Sequence, residues 1–118
     1  MKDGIVGEMN VHTRRAADGR HHPFITSVTL PENHPALPEG TILIGGAGAG
    51  TAALAAASGA QTLFGVLDEE VKANEGVGNV IIHGSCPAEI LKTVNASGEP
   101  TPASADLIKA LRGIGIYV

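Results

Sequence analysis

The sequence predicts a mainly β domain with one or two short helices, preceded by an extended N-terminal arm. Three observations predict it. Short β-branched or aliphatic runs recur between clusters of Gly and Pro, at residues 24–30, 40–44, 62–67 and 79–83. Apolar residues at helical spacing are clear only near the C-terminus, over residues 102–112. Residues 1–23 show little apolar periodicity and hold Lys2, Arg14, Arg15 and Arg20, four of the eight Lys and Arg residues. A segment of that kind cannot form a core of its own. The expected division is therefore an arm over residues 1–23 and a β-rich domain over residues 24–118.

Taken in order, FITSVTL (24–30) alternates β-branched and polar residues, as a strand with one covered face does. PENHPALPEG follows, with Pro31, Pro35 and Pro38, and reads as an exposed loop because proline cannot donate to a ladder. Gly40-Thr41-Ile42-Leu43-Ile44 restarts as a strand, and GGAGAG interrupts it. TAALAAAS (51–58) is compatible with helix by alanine content and with a packed strand by length. Residues 62–67 form a strand running into Asp68, Glu69 and Glu70, and NVIIH (79–83) forms another, with Gly84 marking a bulge or bend. Thr101 reads as a helix N-cap with Pro102 at the first helical position, and Gly113 as the stop. Leu107, Ile108 and Leu111 make the apolar stripe of that helix. Ile114, Ile116 and Val118 then alternate as one buried face of a last strand.

Composition narrows the class. The 118 residues carry a net charge of −4 and are 43% hydrophobic, but the only aromatics are Phe24, Phe64 and Tyr117. A core of Ala, Val, Ile and Leu buries less area per residue, at about 25 cal/mol per Å², so association with other copies is favoured. The lone Cys86 excludes an internal disulfide framework. Residues 1–7 lack an apolar leader core, and Gly45, Gly46, Gly48, Gly50, Gly59 and Gly65 interrupt the low-charge stretch 41–66. A soluble protein made in the cytoplasm is expected, without a membrane partner.

Four groupings could carry chemistry. ILIGGAGAGTAALAAA places a Gly-rich turn after a strand, as in dinucleotide-binding folds, with Asp68 to Glu70 near the spacing of about 20 residues for a ribose-binding acid. Too little chain remains beyond those acids for a doubly wound sheet, so a Gly-rich β-turn is the favoured reading. A small nucleotide- or dinucleotide-binding protein using residues 45–50 is the alternative. His83 and Cys86 are three apart, which in an extended strand points them to opposite faces, and a structural zinc needs about four ligands. Cys86 is expected to be a buried, inert thiol, and no metal is expected. Asp68, Glu69, Glu70 and Glu75 read as a solvated acidic loop. Arg14, Arg15 and Arg20 with His12, His21 and His22 give a thin footprint for nucleic acid, and a basic arm meeting an acidic protein surface fits the same residues. No nucleic-acid partner is expected.

Residues 40–118 resemble the lambda-type bacteriophage head decoration (capsid cement) proteins. The resemblance lies in the order and spacing of PEGTILIG, an Ala/Gly segment, LFGVLDEEV, VIIHGSCPAEIL, SADLIKALRG and the terminal GIGIYV. Gly84 stands at the family's strand glycine and Glu89 at a recurrent acidic position, whereas Cys86-Pro87 replaces an aromatic residue of the family. The resemblance implies a compact β-rich fold and a homotrimer on the outer surface of an expanded capsid in the virion. It implies the major capsid protein as partner, an arm that orders on the shell, and no catalytic residue or cofactor. Residues 1–23 lie outside the resemblance. By position, Glu8, Met9, Asn10, Val11, His12, Thr13, Arg14 and Arg15 are the expected capsid-binding residues, pairing their backbone with an exposed capsid strand.

Overall fold

The structure, a computed structural model, describes residues 16–17, 23–46, 50–56 and 62–118. It is mostly β, with one α-helix among the described residues. Strands β1 (Phe24–Thr29), β2 (Ile42–Gly45), β3 (Ala52–Leu54), β4 (Leu63–Leu67) and β5 (Val77–Ser85) form an antiparallel sheet in the order β1-β5-β4-β2-β3. The ends of that order approach each other, because Thr29 N–H donates to the Gly50 carbonyl at 2.9 Å. A 3-10 turn (Ala88–Ile90) leads into a separate hairpin of β6 (Lys92–Val94) and β7 (Pro100–Pro102). Helix α1 (Ala105–Gly113) and β8 (Ile116–Tyr117) follow, and β8 pairs in parallel with the end of β5.

The central strands are covered on both faces, which explains why their apolar residues are adjacent and do not alternate. Ile42, Val66 and Ile81 lie opposite one another across β2, β4 and β5. They pack with Leu107, Leu111, Ile116, Cys86 and Leu91. Their chain neighbours Leu43, Leu67 and Val80 belong to a second cluster with Val28, Leu30, Leu37, Val71 and Val94. The alanines of the middle region divide between the two, Ala52 in the second and Ala55 in the first. Strand β1 is covered on one side only, and buries Val28 between exposed Ser27 and Thr29.

Several expectations are corrected. The proline-rich loop is not wholly exposed: His34 and Leu37 are buried. Leu37 exchanges two backbone hydrogen bonds of 2.8 Å with Val71, which draws the loop onto the second cluster. The ambiguous alanine run is strand over Ala52–Leu54, because its backbone pairs with β2. The helix begins three residues later than expected. Ser104 is the N-cap, its Oγ accepting from Leu107 N–H at 3.2 Å, while Thr101 pairs with Thr93 in the β6–β7 hairpin. In the last strand Ile116 is buried but Ile114 is exposed, because Ile114 still belongs to the helix end, donating to the Leu111 carbonyl. Asp68 is buried as well, and not part of a solvated loop.

Candidate interaction surface

The Gly-rich segment connects neighbouring antiparallel strands. Gly45 pairs with Ala52, and Gly46 N–H donates to the Thr51 carbonyl at 3.0 Å. The described residues Gly50 and Thr51 lead into β3 and not into a helix, so among the described residues no helix N-terminus faces an anion there. The shallow depression beside it is lined by Thr29, Leu30, Pro31, Gly46, Thr51, Ala52 and Ala53, without a charged side chain. Asp68, the candidate ribose acid, is engaged elsewhere, its Oδ1 accepting from Ala17 N–H at 3.2 Å. Residues 47–49 lie outside the described ones.

The other groupings separate in space. Cys86 is buried in the α1-side cluster just past the end of β5, whereas His83 within the strand is exposed. Glu75 closes a local turn by accepting from Lys72 N–H at 2.7 Å, and Glu70 is exposed. Among the described residues no three His, Cys, Asp or Glu side chains gather where a metal ion could be held. Residues 8–15, the expected capsid contacts, lie outside the described residues; the chain is first described at Ala16 and Ala17.

The structure assembles one surface that local sequence patterns do not. Phe24 at the start of β1, His83 near the end of β5 and Tyr117 in β8 form a row of edge-to-face rings. Their centroids are 5.9 Å apart for Phe24–His83 and 6.0 Å for His83–Tyr117. Phe24 is 57% exposed and Tyr117 39%, so two of the three aromatic residues of the chain face outward. The row is held by backbone pairing: Phe24 lies opposite His83, and Gly84 and Ser85 lie opposite Ile116 and Tyr117. Gly115 makes the close approach possible. Its φ is +95°, and a Cβ there would meet His83 Cδ2 at 2.6 Å.

Charge is absent from the strands that carry the row. Residues 23–31, 76–88 and 113–118 contain no Asp, Glu, Lys or Arg. Ile25, Ile82, Ile114 and Val77 are exposed on the same three segments. Aromatic enrichment with depletion of charge is the composition of an interface centre, not of a solvated face. Three charge-free runs are visible in the sequence, but their meeting depends on pairing between residues about 30 to 60 positions apart.

No protein-family model, curated protein or solved structure matches the chain. No helix among the described residues is long and apolar enough to cross a membrane.

Proposed function

We propose that this protein is a capsid decoration protein, which assembles as a homotrimer on the outside of an expanded phage head and cements neighbouring major capsid proteins. The observation that carries the proposal is the exposed Phe24–His83–Tyr117 row on charge-free strands, a surface suited to another protein. The ordered series of motifs from residue 40 to residue 118 supplies the class of partner. Residues 8–15 grip the shell, gaining main-chain hydrogen bonds and losing ordering entropy as they do so. Three copies acting together turn weak single contacts into firm attachment through effective concentration.

Cosedimentation with heads assembled from the major capsid protein of the same genome tests this. Binding to expanded heads and not to unexpanded ones is expected. Failure to bind either form overturns the proposal.

A further inference from the structure

Asp68 stands at the end of β4 with its backbone fixed on both sides. Its N–H donates to the Asn79 carbonyl at 2.9 Å, and the preceding Leu67 carbonyl accepts from Gly40 N–H at 2.8 Å. Two acceptors of this one residue then take two successive N–H groups. The Asp68 carbonyl accepts from Ala16 at 3.0 Å, and its carboxylate Oδ1 accepts from Ala17 at 3.2 Å. Asp68 is only 2% exposed, and Ala16 is fully buried in the cluster that holds Ile81, Leu107 and Leu111. A methyl group seated in a packed core and a carboxylate turned inward to meet the next amide form one fastening between segments about fifty residues apart.

We infer that Asp68 is a latch that sets where the N-terminal segment leaves the domain. The longest reach open to the residues before the latch is then counted from residue 15 and not from residue 23. Fifteen extended residues span at most about 50 Å, against about 80 Å for twenty-three. A shorter tether with a fixed foot holds its binding residues at a higher local concentration near the shell. Ala16 follows directly on Arg15, so the proposed contact residues begin at the latch itself. This consequence for capsid binding rests on the function proposed above; the latch does not.

Hydrogen exchange on the free, full-length protein tests the latch separately from capsid attachment. The amides of Ala16 and Ala17 should exchange slowly in the wild type. In Asp68→Ala the amide of Ala17, whose acceptor is the deleted carboxylate, should lose protection by roughly tenfold or more, the factor expected when a charge-assisted bond is removed, while Ala16 keeps its backbone acceptor and should change less. Val66 and Ile81, in the central strands, should keep theirs. Asp68→Asn retains the Oδ1 acceptor and should preserve most of the protection at Ala17, which keeps the test decisive if the alanine variant does not fold. Fast exchange at Ala16 and Ala17 in the wild type, or unchanged protection at Ala17 in Asp68→Ala, overturns the inference.

Discussion

His34 Nε2 lies 2.5 Å from the backbone carbonyl of Glu75, 41 residues further along the chain. Its Nδ1 lies 2.6 Å from the carbonyl of Pro35. The ring is buried, and together with the Leu37–Val71 bridge it fastens the proline-rich loop to the turn before β5. Replacing it by a ring of similar size that cannot hydrogen-bond removes these contacts from a buried position. His34→Phe should therefore lower unfolding stability by about 0.5–1.5 kcal/mol. Leu37→Ala should cost about 2–5 kcal/mol through lost burial and the cavity left behind. Urea denaturation measures both. Losses under about half a kcal/mol at both sites, the range of ordinary surface substitutions, would show that the loop is not part of the core.

Gly115→Ala tests the support of the aromatic row. The position combines a positive φ with a close approach to His83, so a methyl group there is strained twice. A loss of about 1–3 kcal/mol is expected. Tyr117 is the only tyrosine and the chain has no tryptophan, so tyrosine emission reports on this surface alone. The emission should change in Gly115→Ala and stay constant in a variant of the exposed loop residue Glu32. Unchanged emission with unchanged stability would mean that the approach of Gly115 to His83 does not exist.

How far the fold can be read from the residues depends on whether the deciding contact is local. Residues 42–43, 66–67 and 80–81 are legible as strand from their own composition, and in the structure each adjacent pair is divided between the two clusters. The helix start is different. Thr101 and Ser104 both carry cap chemistry, and the pairing of Thr101 with Thr93 across the hairpin decides between them. His34 and Leu37 look like loop residues until residues 71–75 are placed against them. Asp68 follows the same rule: an acid beside Glu69 and Glu70 reads as solvated, and Ala16 and Ala17, about fifty positions away, turn it inward. The aromatic row joins three distant strands. Its sequence trace is the lack of charge around Phe24, His83 and Tyr117, a weaker signal than a motif.

The surface itself can be removed without unfolding the domain. Phe24 and Tyr117 are substantially exposed, so Phe24→Ser with Tyr117→Ser should cost less than about 1.5 kcal/mol of stability. If the row is an interface centre, the same pair of changes should weaken assembly on the head, or between copies, by about tenfold or more. Cosedimentation with expanded heads and sedimentation velocity of the free protein separate the two. A double variant that both assembles and binds like the wild type removes the row from the interface.

The Gly-rich hairpin makes a prediction about ligands. A nucleotide held at about 100 times its dissociation constant stabilises a fold by about 2.7 kcal/mol. Among the described residues the connection from β2 to β3 offers no helix N-terminus, and the depression beside it has no charged lining. NAD, FAD and ATP should each leave the melting temperature unchanged. A saturable rise with any of them would reinstate residues 45–50 as a binding loop.

Truncation separates the arm from its foot. Removing residues 1–14 spares Ala16 and its bonds to Asp68, so the domain should keep its stability while attachment to the head is lost. Removing residues 1–20 also deletes the buried Ala16 methyl group and both amides received by Asp68. That cut uncovers part of the α1-side cluster and leaves a buried carboxylate without the Ala17 donor, so it should cost about 1–3 kcal/mol more than the shorter one. Denaturation midpoints of the two truncations, compared with full-length protein, measure the difference. Equal stability in the two would place Ala16 outside the core, and full binding by the shorter truncation would show that residues 8–15 do not hold the shell.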